Sequence, residues 1–385
     1  IALLGLRNAG KSSLANRLLD RPVSIVSARP GTTTDPVSRP IELGRLGPAV
    51  LWDTAGLDDT GELGELRVRR TMDVVGSADV LLFVTPSDRP PDPLEREALA
   101  AYRGGRRPLV VAATFSDRPA DPEKAAFLAG LDAVAVDNAS GRGANELRER
   151  LAGLAELVEP EAGPLEGLAS AGDLVLLVAP IDTAAPKGRL ILPQAESVRD
   201  LLDRDCAAVV VKETELAQWY RRLPRPRLVV TDSQAFGSVA ASIPEDQALT
   251  SFSILFARKK GDIGTYLDGV EALESLRSGG RILILEACSH HRQSDDIGTV
   301  KIPRLFRELV PGPLEFEHAR ELPPDEELAR CALVVTCGGC MRTRREVMVR
   351  LERIRAAGIG VVNYGIFLAW ANGLLPRAVE MLPEY

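Results

Sequence analysis

Short apolar runs alternate with segments of helical period along the first 155 residues of this 385-residue chain. Ile1–Leu4, Ala49–Trp52, Val80–Val84 and Leu109–Ala113 have the length and composition of buried strands, while Ser12–Leu19 and Glu146–Leu157 carry the 3.6-residue period of helices. Such alternation predicts βαβ units and a mostly parallel sheet covered by helices. A Pro/Gly/Glu connector, Glu159 to Pro164, then marks a domain boundary. A second series runs through Leu174–Ala179, Ala207–Val211, Leu228–Thr231 and Ser253–Ala257, with helical stretches near Ala195–Leu202 and Thr214–Arg222. After the charged punctuation Arg258 to Asp262 a third begins: helix Leu267–Leu276, strands Arg281–Glu286, Ala332–Thr336 and Gly360–Asn363, and helix Arg344–Ala356. The expectation is three α/β domains, over residues 1–160, 168–263 and 264–385.

Composition narrows the classes. The 47 basic and 54 acidic residues give a formal charge of −7, so no global basic field exists to attract nucleic acid or anionic lipid. No apolar stretch approaches the roughly 20 residues of a membrane span. Neither a nucleic-acid nor a membrane partner is expected. Five Cys and three His are too few for a disulfide framework and fit a reducing, cytoplasmic compartment.

Gly5-Leu-Arg-Asn-Ala-Gly-Lys-Ser12 fits GxxxxGK[ST], between a strand and a helix. In that motif backbone N–H groups curl around phosphates, Lys11 neutralises the β/γ oxygens and Ser12 can ligate Mg²⁺. Asn8, Ala9, Gly10, Lys11, Ser12 and Ser13 are therefore candidate nucleotide contacts. Asp53, in Trp52-Asp-Thr-Ala-Gly56 at the end of an apolar run, can hold the Mg²⁺ through water, and the Gly56 amide can follow a γ-phosphate. Between the two motifs lies Pro30-Gly-Thr-Thr-Thr-Asp35.

With these motifs the first domain resembles the TrmE/Era/EngA group of small GTPases. The resemblance implies Thr33 as a second Mg²⁺ oxygen, Asn8 as a K⁺ ligand in the phosphate loop, and Lys11, Thr33, Asp53 and Gly56 as the catalytic set. Leu57 stands where some GTPases keep a water-orienting Gln, which predicts slow, cation-assisted hydrolysis; Glu65 is a candidate to orient the water, or simply part of an acidic exposed face. The guanine-reading Asn-Lys-x-Asp is replaced by Thr114-Phe-Ser-Asp117, and the usual Ser-Ala of the last loop by Asp137-Asn138. Asp117 keeps an acceptor for the base. Loss of bidentate contacts predicts weaker base binding and weaker preference for GTP over ATP, at about 1–3 kcal/mol per contact.

Cys288-Ser-His290-His and Cys337-Gly-Gly-Cys340 each follow a predicted strand. If those strands are parallel neighbours, three thiolates and an imidazole converge at one sheet edge, the usual ligand crevice of an open α/β fold. An iron–sulfur cluster, a structural Cys₃His zinc and buried structural thiols all remain open on these residues alone. Cys206 and Cys331 lack partners at ligand spacing and are expected in the core. His318 is expected at the surface.

A GTPase of this type joined to Cys-x-His and Cys-x-x-Cys resembles the HydF family of [FeFe]-hydrogenase maturation proteins. The likeness extends through Val178–Pro193, Thr231–Phe236, Leu249–Ala257, Asp296-Ile-Gly298 and Asn363-Tyr-Gly365. It implies a homodimer with a GTP-binding domain, a middle dimerisation domain and a domain binding [4Fe-4S] through Cys288, Cys337 and Cys340, with His290 matching the family's Cys-x-His. Thr336 stands where many relatives place a His before the Cys-x-x-Cys, which leaves the fourth ligand open. The implied role is a scaffold that receives a CO- and CN-bearing diiron precursor made with the radical-SAM maturases HydE and HydG, and transfers it to apo-[FeFe]-hydrogenase. A regulatory or tRNA-modification GTPase carrying a structural zinc is the alternative.

Overall fold

The computed structural model describes residues 1–19, 36–105, 107–157, 161–180, 188, 190–286 and 296–385. Thr33, Cys288, His290 and His291 lie outside them. The chain forms two compact units, Ile1–Pro160 and Glu161–Tyr385. Among the described residues no helix is long and apolar enough to cross a membrane.

In the first unit the elements run β1 (Ala2–Leu4), α1 (Lys11–Leu18), β2 (Val37–Glu42), β3 (Pro48–Asp53), α2 (Glu62–Ser77), β4 (Leu81–Pro86), α3 (Pro93–Arg103), β5 (Leu109–Thr114), α4 (Pro122–Ala129), β6 (Val134–Ala135) and α5 (Ala144–Ala152). The described strands form one sheet in the order β2-β3-β1-β4-β5-β6, parallel except for the β2 edge. Alternating side chains feed two cores, because successive residues of a strand point to opposite faces. Leu3, Leu82 and Val84 pack with Leu14 of α1 and Leu147 of α5, whereas Ala2, Leu4, Leu81 and Phe83 pack with Val75 of α2 and Leu99 of α3. Both faces being covered, β1 and β4 read as continuous apolar runs.

One polar cluster is sealed into this unit. Lys124 and Glu95, 1% and 2% exposed, meet at 2.5 Å; Lys124 Nζ also donates to Thr85 Oγ1 at 2.9 Å, and Thr85 Oγ1 donates to the other oxygen of Glu95. The triangle ties α3 and α4 to the end of β4. Lys124→Met strands a buried carboxylate and is expected to destabilise the unit by about 3–5 kcal/mol, while Lys124→Met with Glu95→Leu recovers most of that loss. Chemical denaturation of the full chain checks both.

The second unit carries β7 (Leu174–Val178), α6 (Leu192–Asp203), β8 (Ala207–Val211), α7 (Leu216–Arg222), β9 (Leu228–Thr231), α8 (Phe236–Ser242), β10 (Leu249–Ser251) and α9 (Phe252–Lys260). It continues through α10 (Ile263–Glu274), β11 (Arg281–Leu285), α11 (Ile302–Leu309), β12 (Glu315–Ala319), α12 (Asp325–Leu328), β13 (Leu333–Thr336), α13 (Arg344–Ala356), β14 (Gly360–Asn363), α14 (Tyr364–Ala371) and α15 (Leu375–Val379). Its described strands form two parallel sheets, β10-β9-β7-β8 and β12-β11-β13-β14, which share one hydrophobic core.

Ser253–Ala257, expected as a strand, is helical. The strand is Leu249–Ser251, and Ser251 Oγ caps the following helix by accepting from the Ile254 N–H at 3.3 Å. Phe252, Ile254, Leu255, Phe256 and Ala257 are all buried, so α9 lacks the polar stripe that reveals a surface helix.

Candidate functional site

The loop from β1 to α1 bends on glycine. Gly5 has φ +144°, and a Cβ there would lie 2.1 Å from the Val84 carbonyl oxygen, so no side chain fits. Lys11 opens α1, buried, with Nζ donating to the carbonyls of Gly5 at 3.0 Å and Leu6 at 2.8 Å. Burial lowers its pKa, opposed by the charges of Asp53, Asp58 and Asp59. The ammonium thus waits on its own loop, within an acidic surround, where a phosphate would draw it off. Asn8 is exposed with φ +56°, and its carbonyl accepts from Arg89 at 3.3 Å.

Asp53 closes β3 beside this loop. Burial raises its pKa, and the Ser12 hydroxyl hydrogen-bonds its carboxylate. Its Oδ1 is buried without a partner. A hydroxyl and a half-satisfied carboxylate side by side are a donor set suited to Mg²⁺ and its waters, and the residues present fit that ion. Gly56 is buried hard against the loop, where a Cβ would meet Arg7 Cγ at 2.5 Å and Arg7 N at 2.8 Å. The turn after it is latched down: Arg7 N–H donates to Asp58 Oδ1 at 2.7 Å, Leu57 N–H to the Gly5 carbonyl at 3.3 Å, and Arg7 Nε lies 3.3 Å from Asp59. The sequence signal for this latch is Asp58-Asp59, just after the Trp52–Gly56 motif. Glu65 sits exposed in the first turn of α2.

Arg7 to Ser13, Thr54, Gly56, Asp59 and Phe115 line one open cleft of about 470 Å³, within the size range of ligand pockets. Asp117 is exposed. Thr114 Oγ1 donates to the Ala9 carbonyl at 2.7 Å, and Asn138 Nδ2 donates to the Gly10 carbonyl at 3.3 Å. These two residues brace the phosphate loop from the base-reading side.

In the second unit β11 and β13 are adjacent and parallel, with Leu285 opposite Thr336. Cys337 follows directly, its N–H donating to the Leu285 carbonyl at 3.0 Å. This register sets Cys337 level with Glu286, after which the segment holding Cys288 and His290 begins. Cys337 and Cys340 are both half-buried, on a turn through Gly338 and Gly339. Helix α13 starts only at Arg344, capped by Thr343, so its N-terminus lies past Cys340 rather than directly on it. Behind the turn, Tyr364 donates from its hydroxyl to buried Glu286 at 3.1 Å. Cys206 donates to the Ser170 carbonyl at 3.0 Å and Cys331 is buried; burial pushes both thiols up, away from thiolate chemistry. His318 is exposed, with Nε2 3.1 Å from the Gly298 carbonyl.

A phosphate loop at the end of β1, a carboxylate at the end of β3 and a glycine latched between them define the first unit as a P-loop GTPase domain. A family model described as a 50S ribosome-binding GTPase matches residues 1–114. Residues 165–261 match the hydrogen maturase F dimerization domain and residues 264–381 the hydrogen maturase F tetramerization domain, together more than half of the chain. The chain belongs to the hydrogen maturase F (HydF) family. It is also 37% identical over 150 residues to the tRNA modification GTPase MnmE of Geobacter metallireducens, covering 39% of this chain and 32% of that protein. To GTPase Der of Nitrobacter hamburgensis it is 34% identical over 160 residues, covering 40% and 33%. The chain thus spans about a third of the length of these curated relatives. Among solved structures, Aquifex aeolicus Era aligns at 18% identity and TM-score 0.36, over 55% of this chain and 91% of that one.

Proposed function

We propose that this chain is a hydrogenase-maturation GTPase that doubles as an iron–sulfur scaffold, with residues 1–160 binding GTP, 168–263 dimerising and 264–385 carrying the cluster. In the GTPase part the loop amides and Lys11 hold the phosphates, Ser12, Thr33 and Asp53 hold Mg²⁺, Asn8 holds K⁺, and the Gly56 amide follows the γ-phosphate. The metal ions supply charge neutralisation at the phosphates. Asp117 accepts from the base. Glu65, in the first turn of α2 after the Trp52–Gly56 motif, is the candidate to orient the attacking water.

Cys288, Cys337 and Cys340 would hold the [4Fe-4S] cluster, with His290 beside them. The observation that carries this reading is the register: Cys337 is fixed by Leu285 at the same strand edge from which the Cys288 segment departs. Bound there, the cluster would offer an iron with an exchangeable ligand to an incoming diiron precursor. The precursor is cargo, built with HydE and HydG and delivered to apo-[FeFe]-hydrogenase. A homodimer is supported by β8, Ala207-Ala-Val-Val-Val211, which among the described strands is a sheet edge and carries no Lys or Pro to blunt it.

The alternative, a tRNA-modification GTPase with structural zinc, rests on likeness to relatives over about 40% of the chain. Residues 165–261 and 264–381 are matched by the maturase models instead. The test is anaerobic reconstitution with iron and sulfide, loading with diiron precursor, and incubation with apo-hydrogenase. Iron and sulfide bound at about four each per chain, followed by hydrogen evolution, is expected; stoichiometric zinc with no maturation would sink the proposal.

A further inference from the structure

The nucleotide cleft is bounded away from the phosphates by Phe115, in a backbone conformation a bulky aromatic rarely adopts, φ +57°. Such strain persists where the surroundings impose it, often at a functional site. Here Arg118 imposes it twice. Its N–H donates to the Phe115 carbonyl at 3.1 Å, and its guanidinium lies 4.5 Å from the ring centroid while Asp88 holds it at 2.6 Å. The ring is clamped in place and still lines the cleft.

Most donors around it are engaged within the protein, whereas Ser116 Oγ and Asn138 Oδ1 are buried without a partner. The Thr114 hydroxyl is used on the carbonyls of Ala9 and Thr85. The Ser140 hydroxyl holds the Asp137 carboxyl below its usual range, helped by the Ala139 and Ser140 N–H groups, which donate to it at 2.8 and 3.2 Å. The Asn138 side-chain N–H₂ is on the Gly10 carbonyl. Each of these donors is spent on an acceptor within the protein rather than left open to a base oxygen. What remains is a ring face, the exposed carboxylate of Asp117 and the single hydroxyl of Ser116.

We propose that Phe115 is the platform on which the base stacks, and that this site reads purines chiefly by stacking, so that it admits adenine as well as guanine nucleotides. The inference rests on the reading of this cleft as a nucleotide site. Stacking is base-tolerant because every base has a π-face. Asp117 adds a preference for guanine, whose N1–H and N2–H₂ donate to a carboxylate, but an exposed hydrogen bond is a weak discriminator.

The experiment is isothermal titration of the full chain with GDP, ADP and ribose 5′-triphosphate, all with Mg²⁺. ADP is expected to bind within about tenfold of GDP. Phe115→Ala and Phe115→Leu should each weaken GDP and ADP together by about tenfold, Phe115→Tyr should bind both normally, and none should change the affinity for the base-free triphosphate. ADP binding a hundredfold or more below GDP overturns the proposal, as does full affinity in Phe115→Leu or a parallel loss of triphosphate binding. If wild-type chain bound none of the three probes, the nucleotide-site reading itself would fall; normal GDP binding with strong exclusion of ADP defeats only the stacking inference.

Discussion

Cys337→Ser or Cys340→Ser is expected to abolish the proposed cluster binding and hydrogenase maturation together, whereas Cys206→Ser should leave both intact. The contrast follows from where each thiol sits. Cys337 is positioned by its own backbone on the carboxyl edge of β13, half-buried at the start of a glycine turn. Cys206 is buried at the start of β8, its Sγ on the Ser170 carbonyl, with its pKa raised by burial. A hydroxyl can replace a thiol as a hydrogen-bond donor but is a poor ligand for a soft iron–sulfur core. Iron and sulfide content after reconstitution, together with activity of hydrogenase incubated with each variant, measures the effect. Equal losses in all three variants would refute the ligand set.

Lys11→Ala is expected to lower GTP turnover by about 10²–10³-fold or more, the scale set by removing one preorganised charge from a reacting phosphate. The same change removes the buried ammonium bridging the Gly5 and Leu6 carbonyls, so the loop itself loosens and GDP binds less tightly. Cluster content should not change, because Lys11 and the cysteines belong to different compact units. Phosphate release and iron analysis on the same preparation decide the matter. Near-normal turnover, or cluster loss in step with turnover, would contradict it.

The phosphate loop was legible because its chemistry is local: strand, glycines, Lys and helix follow one another without interruption. The parallel pairing of β11 with β13 was legible only as a condition, since a long stretch of chain separates Cys288 from Cys337 and spacing alone does not fix which strands are neighbours. Ser253–Ala257 reads as a strand in sequence because a helix buried on all sides carries no period. The edge strand β2, the two-residue β6 and the charged β12, Glu315-Phe-Glu-His-Ala319, gave too little apolar alternation to be seen. At the base end, Thr114 and Phe115 were visible as departures. Their meaning was not, because it depends on Asp137 capturing loop amides and on Arg118 clamping the ring, contacts between segments that fold together only in three dimensions.

The shared core of the second unit has a consequence for how its two halves can be handled. Asn363 Nδ2 donates to the Ser253 carbonyl at 2.8 Å, Thr250 Oγ1 to the Ala378 carbonyl at 2.9 Å, and Arg344 to the Gly261 carbonyl at 2.6 Å. Each bond crosses from residues 165–261 to the part that carries Cys337 and Cys340, and the buried helix α9 lies among them. Cutting the chain near residue 262 would bare that helix and leave these polar groups without their partners. The two halves should therefore melt as one cooperative body, so that occupancy of the cysteine turn and integrity of the β8 sheet share a single folding equilibrium.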